Sequence, residues 1–169
     1  MKPAPTGRWR RTAAALDRRL QRLWSALPES AIALLGRFSI AAVFWRSGQT
    51  KVEGFALDLV EAHLQWGWPR LAPQAVDLFR DEYRLPLWEP HTWAVMAAWA
   101  EHLLPALVLL GLGTRLAALG LLGMTVVIQL WVYPGAYPTH GVWAAVLLGL
   151  MARGPGRWSV DAWIARRLR

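Results

Sequence analysis

The sequence predicts an all-α integral membrane protein: a four-helix bundle with amphipathic interfacial helices at both termini and a partly helical outer loop. Three observations carry this. Residues 93–112 and 116–133 are two apolar segments joined by a tight GLGTR turn, each close to the twenty or so residues that cross a roughly 30 Å hydrocarbon core as a helix. Two further apolar runs, 31–50 and 137–152, approach the same length. Charges are also unevenly spread: 55% of the chain is apolar, and the basic residues that give it a net charge of +8 gather outside the apolar runs. The expected division is a basic interfacial helix over 1–30, a transmembrane domain over 31–153 and a basic interfacial helix over 154–169. Within the domain the spans fall at about 31–50, 92–112, 115–134 and 137–152, with an outer loop at 51–91.

The first thirty residues hold Lys2, Arg8, Arg10, Arg11, Arg18, Arg19 and Arg22 against Asp17. Trp9, Ala13, Leu16, Leu20, Leu23 and Leu27 recur between them at three- and four-residue steps, the pattern of a helix lying on an anionic membrane surface. A secretory signal is not expected. The apolar run that follows is interrupted by Arg37 and ends in WRSGQTK without a small-residue cleavage site.

In the first span Arg37 and Arg46 are nine residues apart, so they lie on nearly opposite helix faces. Arg37 is close enough to the inner end to snorkel to the headgroups. Arg46 shares its face with Ser39 and Ala42, small residues that suit helix contact. Arg46 is therefore expected to point inwards.

The outer loop carries two helical patterns, Leu57, Val60, Glu61 and Leu64, then Val76, Phe79 and Tyr83 after Pro73. Trp66, Trp68 and Trp88 suit an interface, so the loop is expected to lie on the outer surface as a lid. Lys51, Arg70, Arg80 and Arg84 face seven acidic residues there. It is an acidic connection.

In the second span Ala94, Ala97, Ala98, Glu101 and Pro105 share a face, and the alanines turn Glu101 towards protein. Pro105 has no N–H to offer the carbonyl of Glu101, so side chain and backbone are polar at one level, and the carboxyl must be paired, hydrated or protonated. The third span aligns Ala118, Leu122, Thr125, Gln129 and Tyr133. In the fourth, Gly141, Ala145 and Gly149 form a small-residue ridge expected to pack tightly on a neighbour. The tail alternates Val160, Trp163, Ile164 and Leu168 with arginines, and Ser159 is its expected N-cap. The N-terminal segment, the Arg115 turn and the tail are basic, so the positive-inside rule places both termini in the cytoplasm. That distribution accounts for the net charge without nucleic acid.

FWRSGQTKV after the first span, EYRLPLWEP before the second, AEHLLPALVLLGLGTRLAA across the hairpin and GPGRWSVD after the fourth together resemble the DoxX family over roughly residues 31–161. The resemblance implies a four-helix bundle in the bacterial plasma membrane. Some relatives are linked to redox systems, including a thiosulfate:quinone oxidoreductase subunit and membrane partners of oxidative-stress enzymes. Versions with a long first outer loop resemble proteins encoded beside metal-handling and peptide-modifying systems. The family has no single reaction, so the resemblance assigns no catalytic residue.

There is no cysteine, which excludes disulfides, thiolate clusters, thiol relays and covalent haem. Of His63, His91, His102 and His140 only His102 is deep in a span, and no metal-ligand spacing exists. No metal and no covalently bound cofactor is expected. Ionisable groups inside a membrane default to function, so Arg46, Glu101, His102, Gln129, Tyr133 and His140 are the candidate lining of a polar cleft for a quinone headgroup. Lys51 and Tyr137 border its outer mouth. Depth supports the grouping: Arg46 and Gln129 each lie about 21–22 Å above the inner ends of their spans. The structural alternative is an ion pair of Glu101 with Arg46 or Arg37 that fixes helix register. No self-contained catalytic centre is visible. The two expected functions are a quinone-linked membrane subunit served by a soluble or periplasmic redox partner, and a non-catalytic anchor that recruits partners, for example in metal or oxidative-stress handling.

Overall fold

The computed structural model describes residues 8–58 and 62–168. Helix α1 (Arg8–Ser25) is followed by α2 (Glu29–Gln49), and the two are bent by 55° across a short break. Pro28, extended at φ −66° and ψ 121°, sits at the break as the N-cap of α2 and starts a new helix because its own N–H is missing. Leu16, Leu20, Leu23 and Leu27 of this basic segment are all exposed.

The outer loop then forms β1 (Val52–Glu53), β2 (Ala56–Asp58), β3 (His63–Gln65), β4 (Arg70–Leu71) and α3 (Pro73–Asp77), which runs on as a π-helical turn, Leu78–Tyr83. The helix expected around Val76, Phe79 and Tyr83 is present. The one expected around Leu57 and Leu64 is not: these residues pair across an antiparallel β2–β3 hairpin, and β1 pairs with β4. The cause is local. The Leu57 peptide donates to Gln49 Oε1 at 2.6 Å and accepts from Trp45 Nε1 at 2.7 Å, so both its groups are taken by the end of α2. Gly54 and Gly67 bring the two hairpin arms so close that a Cβ on Gly67 would sit 2.1 Å from the Gly54 carbonyl oxygen. Val60 and Glu61, also part of that expectation, lie outside the described residues.

Helix α4 (Pro90–Leu110) carries proline at its first turn and ends at Gly111, whose φ of 73° is the left-handed stop that glycine favours. Helix α5 (Thr114–Val127) continues as a π-helical turn, Ile128–Val132; α6 (Tyr137–Arg153) and α7 (Val160–Arg167) complete the chain. Ser159 caps α7 by accepting from the Ala162 amide.

Helix α2 packs on α4, α4 on α5, α5 on α6, and α6 returns to α2. Ile40, Phe44, Val108, Ala118, Leu121 and Leu147 fill the centre. A smaller core of Ala72, Ala75, Phe79 and Ala94 docks the outer loop on the start of α4. The expected ridge on α6 is only partly a packing surface. A Cβ on Gly149 would meet nothing within 4 Å, and one on Gly141 would meet only Tyr137 of its own helix.

Residues Pro90–Leu110 and Thr114–Val132 are long and apolar enough to cross a membrane, and the bent α1–α2 pair passes the same test together. Their outward faces are apolar: Trp99 is 72% exposed and Leu116 77%, with Leu103, Leu119 and Leu130 also exposed. Hydrocarbon is the matching solvent for such a surface.

Candidate functional site

The two arginines of α2 sit opposite to the sequence expectation. Arg37 is buried, with 2% of its surface exposed. Its Nε donates to Val108 O at 2.9 Å, Nη1 to Trp158 O at 2.7 Å and to Pro155 O at 3.1 Å, and Nη2 to Leu109 O. The reason is at the far end of α4. The last carbonyls of a helix have no intrahelical donor and carry its negative end, and a guanidinium offers five N–H groups in a fixed fork. Beside it, the Asp161 carboxylate accepts from the Gly113 amide at 2.8 Å, the Thr114 amide at 3.0 Å and the Thr114 hydroxyl at 3.0 Å. Burial alone would raise the Asp161 pKa; these hydrogen bonds and the Arg37 charge outweigh it and hold the carboxyl below its ordinary range. Arg37 and Asp161 thus latch α2, the α4–α5 turn and the tail together.

At the other end of α2, Lys51 and Glu101 form a buried ion pair, Nζ to Oε2 2.7 Å, with the two residues 2% and 3% exposed. Opposite charges at this distance, both out of water, hold the contact. Lys51 Nζ also donates to Ser47 Oγ at 3.2 Å. Glu101 therefore faces protein, and its partner is neither arginine of α2 but the lysine that follows the helix. Gly48 permits the approach: a Cβ there would be 2.9 Å from the His102 ring and 3.1 Å from Glu101 Cβ. Over this pair lies Tyr83, whose hydroxyl pKa is raised by burial first and then by the charges of Glu101 and Glu82.

His102 Nδ1 lies 2.7 Å from the Ala98 carbonyl and Nε2 2.7 Å from Gln49 Nε2. The carbonyl can only accept, which assigns the proton to Nδ1 and leaves Nε2 to accept from the Gln49 amide. Gln49 Oε1 is already taken by the Leu57 amide. A separate polar group closes the end of α5 and the start of α6: His140 Nδ1 donates to Gln129 Oε1 at 2.8 Å, Gln129 Nε2 donates to Pro134 O at 2.7 Å, and the Tyr133 hydroxyl donates to Glu82.

Arg46 belongs to neither group. It is exposed and makes no hydrogen bond or ion pair among the described residues, Gln129 and Glu101 included. The expected inward pairing is replaced by a position on a groove of about 700 Å³ between α2 and α4. Arg46, Gln49 and Trp45 lie at its outer end, under Ala56, Leu57 and His63 of the β2–β3 hairpin. Ala41, Ala42, Pro105 and Ala106 line its middle, and Phe38, Leu109 and Leu110 its inner end. His102 stands behind Gln49. The residue types can hold an amphiphile: one free guanidinium and an imidazole at the polar end, a small-residue floor and an open apolar side. Sequence reasoning missed Gln49 and His63. Gln49 was visible as the polar residue of WRSGQTK three positions after Arg46; His63 had no signal, because only the hairpin brings it over α2.

A DoxX family model matches residues 32–134. The chain belongs to the DoxX family. With its long apolar helices, this DoxX protein is a membrane protein. No curated protein and no solved structure gives a significant match. The matched stretch takes in nearly all of α2, the outer loop, α4 and α5, and hence both walls of the groove and the Lys51–Glu101 pair. It stops before α6 and the Asp161 side of the latch.

Proposed function

We propose that this DoxX protein is a four-span bundle in the bacterial plasma membrane that binds a quinone in the α2–α4 groove and serves a redox system as its membrane subunit. The observation that carries this is Arg46, a guanidinium without a partner among the described residues, at the polar end of an apolar groove. Quinone carbonyls are acceptors only, and Arg46 with the His63 ring supplies donors for them, while an isoprenoid tail fits along Phe38, Leu109 and Leu110. Glu101, Gln129, Tyr133 and His140 are engaged with protein groups and act as positioning residues in this reading; His102 holds Gln49 at the groove wall. A bound quinone would supply the electron-accepting chemistry, and the electrons would come from a partner protein that carries a redox centre.

Purified protein should retain quinone on extraction, and a short-chain quinone should raise its melting temperature saturably. Arg46→Ala removes a hydrogen bond from a charged donor, about 1.5–3 kcal/mol, so binding should weaken roughly tenfold to a hundredfold. Its melting temperature without ligand should stay unchanged. Absence of saturable binding by the unaltered protein would leave the anchor function, with partners recruited through the exposed Trp66, Trp68 and Leu87 of the outer loop.

The proposed topology has both termini cytoplasmic and the acidic loop outside. Single cysteines at Asp77 and Arg166, in a chain without thiols, should differ on intact cells: an impermeant maleimide should label position 77 and not 166. The reverse result inverts the orientation.

A further inference from the structure

A second, larger groove of about 1460 Å³ runs between α2 and α6 at the end of the molecule that holds the start of α2 and the segment after α6. Arg115, Arg153, Arg157 and Arg166 border it, all four exposed. None forms an ion pair among the described residues, and the one hydrogen bond that their side chains make there is Arg166 Nη1 to Arg157 O at 3.5 Å. Two acids share the rim. Asp161 is committed to Gly113 and Thr114, and Glu29 at the first turn of α2 makes no ion pair among the described residues. Below the arginines the walls are apolar or small, with Ile32, Ala33, Val146 and Gly149 among them. The groove opens sideways where Ile32 and Leu116 are exposed, and the missing Cβ of Gly149 points into its empty space.

We infer that this groove binds an anionic diacyl phospholipid, its phosphate among Arg115, Arg153, Arg157 and Arg166 and an acyl chain over Gly149. Four guanidiniums against one free carboxylate select a negative headgroup. Apolar walls that open on the hydrocarbon-facing surface select a molecule with chains over free phosphate. Basic pockets between helices on the cytoplasmic side are where anionic lipids are held, and each arginine near the headgroup layer adds to that attraction. The inference rests on the membrane placement and cytoplasmic termini proposed above. The lipid binds away from the quinone groove, so it acts as a structural ligand that ties α6 and the tail to α2.

The test offers delipidated protein in dodecyl maltoside equal amounts of phosphatidylglycerol and phosphatidylcholine and counts bound lipid by native mass spectrometry. Phosphatidylglycerol should be retained roughly tenfold better. The double variant Arg153→Gln/Arg157→Gln should lose that preference while its lipid-free melting temperature is unchanged, since neither side chain bonds to any described residue. Gly149→Leu, which fills open space, should lower retention of both lipids; if it does not fold, the arginine pair carries the test. Equal retention of the two lipids overturns the inference. So does displacement of phosphatidylglycerol by millimolar inorganic phosphate, which would make this a free-anion site. The assay works in detergent and is indifferent to orientation, and Arg46→Ala should leave it untouched, so failure here is distinguishable from failure of the topology or of the quinone site.

Discussion

Arg37→Ala should melt this protein far below the unaltered chain in detergent, with a loss of about 3–5 kcal/mol. The guanidinium serves the carbonyls of Val108, Leu109, Pro155 and Trp158; alanine removes this donor from all four, and among the described residues only Val108 O keeps another, the Gly111 amide at 3.1 Å. Each buried acceptor left unpaired costs about 1–3 kcal/mol, discounted because the tail can shift and admit water to Pro155 and Trp158. Arg37→Lys should recover only part of the loss. An ammonium has three donors and no planar fork, and cannot span a helix end and a tail together. Thermal unfolding followed by circular dichroism in one detergent gives the ranking. Melting of Arg37→Ala alongside the unaltered protein would mean that the latch contributes nothing.

The second large effect belongs to Lys51 and Glu101. Removing one partner strands the other as a buried charge, which costs about 3–5 kcal/mol, whereas replacing both with apolar groups of similar volume is often neutral. Glu101→Leu and Lys51→Met should therefore each lower the melting temperature steeply, and the double variant should be more stable than either single one. Glu101→Gln should be milder than Glu101→Ala, because it keeps the volume beside Gly48 and an acceptor for Lys51. Such coupling is what a double-mutant cycle isolates. Strictly additive single effects would show that the 2.7 Å contact has no energetic content.

Periodicity showed where the helices run, because about twenty apolar residues and a glycine turn have few alternatives. It also showed that Glu101 faces protein, since alanines share its side of α4. It could not tell which arginine of α2 is inside. A nine-residue spacing fixes that Arg37 and Arg46 diverge, but Arg37 is drawn inward by main-chain carbonyls, one of them 121 positions away, and backbone acceptors leave no trace in side-chain patterns. Leu57 and Leu64 show the same limit in the outer loop. Seven residues apart, they read as one helix face, yet the identical pair are cross-strand neighbours in the β2–β3 hairpin. The groove was legible as residue types and not as a place: Arg46 borders it, but the groups expected beside Arg46 on α5 are elsewhere, and Gln49 and the hairpin lie there instead.

The latch also makes the seating of one helix depend on a distant part of the chain. Two of the four acceptors of Arg37, Val108 and Leu109, lie at the end of α4, and the other two, Pro155 and Trp158, follow α6. Until the segment after α6 has folded back against α2, the guanidinium has only part of its hydrogen bonds, and a charged donor left short is costly away from water. The final seating of α2 therefore depends on residues 155–158 as well as on the helices that pack beside it.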